Sequence, residues 1–221
     1  KYAHPSAWLF LEPAKTVEYR DGTFEISTQH AVYKVDTVLI TTGGLSFPGC
    51  GTTGDGYTWC QQFGHSIVPT VPALVPLKTP EDSWTRELQG VTLEDLELTV
   101  LDSSGVIQST TRGSTLFTHL GISGPAAMNI SKTISYAGHS NLNLQINFLP
   151  EFNREQKIAH LTDLCQRNAK RQLTTSLKEL LPSRTINVLL NQAKINPTIR
   201  CAEISKATIR VLAETLHTLC T

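Results

Sequence analysis

Two segments of the chain carry residues whose types and spacing suit chemistry. The first, Thr41-Thr42-Gly43-Gly44-Leu45-Ser46-Phe47-Pro48-Gly49-Cys50-Gly51-Thr52-Thr53-Gly54-Asp55-Gly56-Tyr57, is fed directly by the apolar run Val38-Leu39-Ile40. Glycine reaches positive φ and has no Cβ, so successive peptide N–H groups can line a concavity against an anion or a ring edge. Asp55, between Gly54 and Gly56, has the chemistry to position a ligand hydroxyl or to cap the helix that follows. The second segment is Arg112-Gly113-Ser114-Thr115-Leu116-Phe117-Thr118-His119-Leu120-Gly121-Ile122-Ser123-Gly124-Pro125. His119 is a residue type suited to general acid–base work. Ser123-Gly124-Pro125 opens a helix whose free N–H groups favour negative charge, with Ser123 expected as N-cap and Pro125 in the first turn. Each feature also has a structural reading: a surface turn, a histidine bonded within its own turn, a capping carboxylate.

Spacing sets several enzyme classes aside. No G-x-x-x-x-G-K-[ST] is present, so the loop at 49–56 is not a Walker phosphate site, and Gly121-Ile122-Ser123-Gly124-Pro125 breaks the G-x-S-x-G elbow. No G-x-G-x-x-G opens a βαβ unit, which argues against a dinucleotide site made by these residues alone. Cys50, Cys60, Cys165, Cys201 and Cys220 are scattered, with no C-x-x-C pair and no histidine at metal spacing. They point to reduced thiols in a cytosolic compartment rather than to a disulfide scaffold or a zinc site. No export signal and no apolar stretch approaching about eighteen residues is found.

Charge gives no general pull towards nucleic acid or membrane, because 19 basic side chains balance 19 acidic ones. The balance is uneven, since residues 151–221 hold 11 Lys/Arg against 6 Asp/Glu. A solvated helix face is the expected reason for that excess. With 40% hydrophobic and 17% charged residues, the chain has the composition of a globular protein, not a disordered one.

The elements that must position these loops are legible from periodicity. The opening to Arg20 shows little pattern. Thr23–Ser27 and Ala31–Val35 alternate as a β-hairpin, and Thr37–Thr41 is a continuous apolar run expected as a strand covered on both faces. Gly56–Gly64 carries Tyr57, Trp59, Cys60 and Phe63 at helical spacing. Pro69, Pro72, Pro76 and Pro80 mark an extended crossing and a domain boundary. Beyond it, short strands are expected at 90–93, 96–101, 106–111 and 115–118, then a helix from Pro125 to about Tyr136, and a strictly alternating strand over Asn141–Phe148. From Asn153 the period changes to about 3.6 and predicts four helices in a small bundle.

Three separated motifs, taken in order, carry a family resemblance: Thr42–Pro48 with Gly51–Tyr57, Pro72-Ala73-Leu74-Val75-Pro76-Leu77, and Leu116–Pro125. The chain resembles the bacterial NAD(P)/FAD-dependent, aminoacetone-oxidase-like flavoprotein oxidoreductases, well over residues 15–150 and in pattern beyond. The resemblance implies an α+β fold: a partial FAD-binding, Rossmann-like segment at 1–72, then an insert domain made of a small antiparallel β-barrel at 73–150 and a helical bundle at 151–221. The family's dinucleotide fingerprint lies upstream of the matched region and its FAD-closing glycine motif downstream, so the chain is expected to be an internal fragment, inactive alone. Where the family has an acidic residue before Leu116-Phe117-Thr118-His119, this chain has Ser114. The implied parent is a cytoplasmic oxidoreductase using FAD, with NAD(P)H as a possible reductant. Its expected partners are a small-molecule substrate and the rest of the FAD-binding domain, with no nucleic acid and no membrane. Gly43, Gly44, Thr53, Gly54 and Asp55 are expected near the cofactor, and His119 and Ser123 on the substrate side. The competing expectation is a non-catalytic binding module that uses the barrel face or the basic bundle.

Overall fold

A computed structural model describes residues 11–138 and 142–221. The chain divides into two compact units, Lys1–Thr70 and Val71–Thr221.

The first unit is a three-stranded antiparallel meander, β1 (Thr16–Arg20), β2 (Thr23–Ser27) and β3 (Val32–Val35), with one helix, α1 (Asp55–Gln62). β1 is a strand that weak periodicity hides. Its turn, however, is a strong signal: Asp21 and Gly22 both sit at positive φ between Arg20 and its partner Thr23, as a two-residue hairpin turn requires. The run Val38-Leu39-Ile40 does not form the expected buried strand. Residues 37–41 are extended, no strand among the described residues pairs with them, and Leu39 is 85% exposed. A strand needs a neighbour for its ladder, and none of the described residues of this unit supplies one. α1 agrees with the helical spacing and stops at Phe63 and Gly64, the latter at φ +85°.

The second unit is a six-stranded antiparallel sheet in the order β4-β7-β6-β5-β8-β9, comprising β4 (Leu77–Lys78), β5 (Thr92–Leu101), β6 (Ile107–Phe117), β7 (Gly121–Ser123), β8 (Asn143–Asn147) and β9 (Leu219–Cys220). The four short strands expected over 90–118 are two long ones. The gap after Leu93 is a register shift inside β5, between the pairs Leu93–Thr115 and Leu96–Gly113, while β6 runs on unbroken through Ser114 and Gly113. Helix α2 (Pro125–Tyr136) packs on β5 and β6, and α3 (Arg154–Arg167), α4 (Leu173–Leu177), α5 (Ser183–Gln192) and α6 (Lys206–His217) follow as the periodicity predicts. Strand β8 begins at Asn143, and Asn141 of the expected strand lies outside the described residues.

Sheet and helices share one hydrophobic cluster, with Leu98, Phe117, Ile130, Ile146, Leu164 and Leu212 among its members. A single-turn helix at Trp84–Leu88 spans the two sheet ends: the Trp84 indole donates to the Cys220 carbonyl at 2.9 Å, and the Ser83 and Thr221 hydroxyls meet. Beside that seam lies an apolar cavity of about 620 Å³, floored by Leu77, Ile134 and Leu144.

Candidate functional site

In the first unit the glycine-rich loop folds on itself. The Thr52 hydroxyl accepts the Phe47 N–H at 2.8 Å, closing a ring around Pro48–Gly51. Gly43 lies at φ +76°, and a Cβ there would stand 2.9 Å from the Thr52 methyl, while one on Gly44 would meet the Tyr57 hydroxyl at 2.9 Å. Glycine is thus favoured at 43 by its positive φ, whereas at 44 the close atom is the far end of the Tyr57 side chain, which can move aside. Their peptide groups remain at the surface, beside a shallow hollow of about 440 Å³ lined by Ile40, Thr41, Thr42, Gly43, Tyr57 and Cys60.

The N-cap of α1 is Gly54, in the left-handed conformation, so Asp55 is the first helical residue rather than the cap. Its carboxylate accepts the Thr53 hydroxyl at 3.1 Å and complements the positive helix end. Gly43, Gly44, Thr53, Gly54 and Asp55 therefore fall on one stretch of loop surface. The N-terminal turn of α1 and the Tyr57 ring border the shallow hollow.

In the second unit, β6 and β7 form a hairpin with Leu116 opposite Ser123 and Phe117 opposite Ile122. Thr118 pins the turn: its hydroxyl donates to the Gly121 carbonyl at 3.1 Å, and its amide donates to the same oxygen at 2.7 Å. His119 and Leu120 occupy the tip, both exposed. No hydrogen bond among the described residues uses the His119 ring, so the ring is free to meet a ligand. Gly121 is held by close approach, since a Cβ there would lie 2.2 Å from the Leu77 carbonyl oxygen of the neighbouring strand. Ser123 ends β7 and is not the helix cap. That place belongs to Gly124 at φ +90°, with Pro125 next, because the chain must turn sharply between strand and helix. His119 and Ser123 thus share one hairpin, and the α2 N-terminus opens directly behind it.

One polar cluster escapes sequence reading. Lys157 of α3 is 1% exposed, donating to the Asn147 side-chain oxygen at 2.6 Å and lying 3.1 Å from His217 Nδ1. Asn147 in turn donates to Glu97 at 3.1 Å. Burial pulls the Lys157 ammonium down to about 8, against the opposing pull of Glu151 and Glu97. Burial, and then the Lys157 charge, hold His217 below the usual histidine value. The available signal was position: Lys157 stands four and seven residues before Leu161 and Leu164, on the apolar stripe.

The geometry defines an α+β chain with a glycine-rich loop in one unit and, in the other, an antiparallel sheet bearing an exposed histidine hairpin and a helical cap. The chain belongs to the family described as the HI0933-like protein barrel and H2TH domain, which matches residues 71–220, and that family is related to the flavoprotein oxidoreductases. It is similar to the ribosomal RNA dihydrouridine synthase of Haemophilus influenzae, 30% identical over 195 residues that make up 88% of this chain and 45% of the relative. It is also similar to the ribosomal RNA dihydrouridine synthase of Escherichia coli, at 32% identity over 82% of this chain and 42% of the relative. The 3-dehydro-bile acid delta(4,6)-reductase of Clostridium scindens is 28% identical over 89% of this chain and 49% of its own length. The chain thus spans somewhat less than half the length of these relatives. No helix among the described residues is long and apolar enough to cross a membrane.

Proposed function

We propose that the complete protein is an FAD-dependent reductase of a carbon–carbon double bond conjugated with a carbonyl, and that this chain supplies the loop at one edge of the flavin and the substrate-side domain. The observation that carries the reading is a shared reaction in relatives with unlike substrates. Making dihydrouridine saturates the uracil C5–C6 bond, conjugated with C4=O, and a delta(4,6)-reductase of a 3-dehydro bile acid saturates bonds conjugated with a ring ketone. Each reduction adds a hydride at a carbon made electrophilic by the carbonyl, the β carbon or its vinylogous δ position in a 4,6-dienone, and a proton at a carbon of the resulting enolate or dienolate. Flavin, once reduced by a nicotinamide, is the hydride source when bound.

The chain's own residues have two tasks in this reading. The amides of Gly43, Gly44 and Gly54, with the Thr53–Asp55 pair, hold and orient the cofactor's polar edge. His119 supplies the proton to the enolate or dienolate carbon, or through hydrogen bonding polarises the carbonyl, with Ser123 and the α2 N-terminus behind it. The exposed, unbonded ring suits a group that acquires its partner only when substrate arrives. The protein is expected in the cytoplasm, where its nicotinamide reductant and reduced thiols belong.

The test is made on the complete protein. A flavin spectrum bleached by NAD(P)H and restored by a conjugated enone or a uridine-containing substrate is the expected result. His119→Ala should lower turnover by roughly 10²–10⁴-fold with flavin content unchanged. A colourless protein, or one reoxidised by neither substrate class, defeats the reading.

A further inference from the structure

The helices of the second unit present a cationic ridge that the reductase reading leaves unused. After α3 the chain turns through Asn168–Gln172, and before α6 it turns again through Ile199–Glu203. The turns are zipped together: Leu173 donates its N–H to the Ile199 carbonyl at 2.9 Å, Cys201 to that of Arg171 at 2.9 Å, and Ala202 to that of Ala169 at 3.0 Å. Buried Leu173 and Cys201 anchor the pair from below. Lys170, Arg171 and Arg200, distant in sequence, therefore stand side by side and exposed on a fixed backbone.

Charge around this pair is one-sided. Residues 163–210 hold nine Lys/Arg against three Asp/Glu. Each acid is already engaged: Asp163 pairs with Arg167 at 2.8 Å, Glu179 lies 3.9 Å from Arg171, and Glu203 faces the Arg200 amide at 3.5 Å. Among the described residues Lys170, Arg200, Lys206 and Arg210 have no carboxylate within ion-pair distance. A solvated helix face would scatter its charges and pair them at i,i+4 spacing, as Asp163 and Arg167 do. Here backbone hydrogen bonds between two turns bring Lys170 and Arg200, both without an ion pair among the described residues, beside Arg171, which has only the long contact to Glu179.

We propose that the paired turns at 168–172 and 199–203 are the seat of a phosphate backbone, with Lys170, Arg171 and Arg200 as its main contacts, and that the partner is RNA. Charge complementarity selects a polyanion, and two relatives named for a ribosomal RNA substrate select RNA among polyanions. The stretch from 163 to 210 contains no Phe, Tyr, Trp or His, so no ring is available there for bases to stack on. The ridge thus reads backbone position rather than sequence, and base choice falls to the reductase site. The proposal names the substrate class for that site and rests on the reductase reading for the chemistry, though not for the binding.

The experiment follows binding of a labelled, uridine-containing RNA stem-loop to the complete protein by fluorescence anisotropy across a salt series. The wild type should bind with steep salt dependence. K170A/R171A/R200A should weaken binding by roughly tenfold or more and reduce the slope of log K against log salt by about 2–3, near one for each lost phosphate contact. The charge-keeping K170R/R171K/R200K should retain most of both, and Lys132→Ala on α2 should change neither. Should the triple variant melt early, Lys170→Gln alone, at an exposed position without an ion pair, should still lower the slope by about 1. An unchanged affinity and slope in these variants overturns the proposal, as does a wild type that does not bind the RNA even at low salt. Reduction of a free enone by the same preparation separates the two readings: it survives if only the ridge is misassigned, and it is lost, with RNA binding intact, if only the chemistry is.

Discussion

The glycine loop of the first unit and the histidine hairpin of the second both depend on glycine, but for opposite reasons. Gly121 is locked from outside by another strand, where a Cβ would sit 2.2 Å from the Leu77 oxygen and 2.7 Å from the Thr79 nitrogen. Gly51, at the crest of the loop, has nothing within 4 Å of such a Cβ and is fixed only by its φ of +88°. The difference continues into the cores. Among the described residues, the buried apolar side chains of the first unit are Val17 and Trp59, whereas the second buries a continuous cluster from Trp84 to Leu216. A unit with so little apolar burial of its own cannot offset much chain entropy. In the proposed reading the hairpin is the substrate-side element, carried by the unit with the larger core. The loop, in the same reading, is one edge of a flavin site, carried by the unit with the smaller core.

The sharpest way to break that contrast is a pair of alanines. Gly121→Ala drives a methyl into backbone and should cost more than about 4 kcal/mol, with loss of the β4 edge and of the His119 turn. Gly51→Ala meets open space and should cost only the left-handed strain of about 1–2 kcal/mol. Thermal melts of the two variants give the ranking directly; equal losses would show that both glycines serve conformation alone.

A smaller effect tests how the second unit ties its helices to its sheet. Lys157 carries a folded value near 8, below its unfolded value near 10.5. The unfolded chain therefore binds more protons between those values, and stability should rise with pH across that window, by at most about 3 kcal/mol. His217, held below its usual value, acts with the same sign lower down: stability falls as pH drops below about 6.5. Lys157→Met, close in volume and apolar, should flatten the alkaline rise and leave stability equal or higher at neutral pH. Denaturation midpoints from about pH 5 to 10 measure both windows. A flat profile in the wild type would mean that Asn147, Glu97 and Glu151 fully offset the burial of the ammonium.

What the sequence revealed divides along the same line. In the second unit period and burial coincide, so α2, β8 and the four C-terminal helices can be read directly from stripes such as Leu161-Leu164-Cys165. Errors there were local. The gap after Leu93 looked like a strand end because a register shift spends residues without adding alternation, and Ser123 looked like a cap because Gly124 has no side-chain signature. Lys157 was hidden because its type contradicts its place. In the first unit Val38-Leu39-Ile40 reads as a buried strand on composition, yet a strand exists only when another lies beside it. The Asp21-Gly22 turn was the better guide to β1, since a turn is specified by its own two residues. For the loops, residue type names the chemistry to look for, but only the fold shows that Gly43 lies at positive φ and that the His119 ring makes no hydrogen bond among the described residues.

The smallest expected effect isolates the apolar run. Leu39 is 85% exposed, so in the 221-residue chain Leu39→Thr removes no buried contact and adds a β-branched side chain to an already extended segment. Its effect on the melting of this chain should lie within about 0.5 kcal/mol. In the complete protein the answer should differ. If the remainder of the flavin-side sheet covers residues 37–41, the same substitution truncates a buried leucine and introduces a hydroxyl, costing about 2–5 kcal/mol and some retention of flavin. Matched melts of the two forms, with the flavin spectrum of the longer one, read this difference. A large loss in the short chain would place Leu39 in a core already formed and dissolve the contrast between the units; a negligible loss in both would make the run a solvent-facing linker and remove the loop's support from the cofactor side.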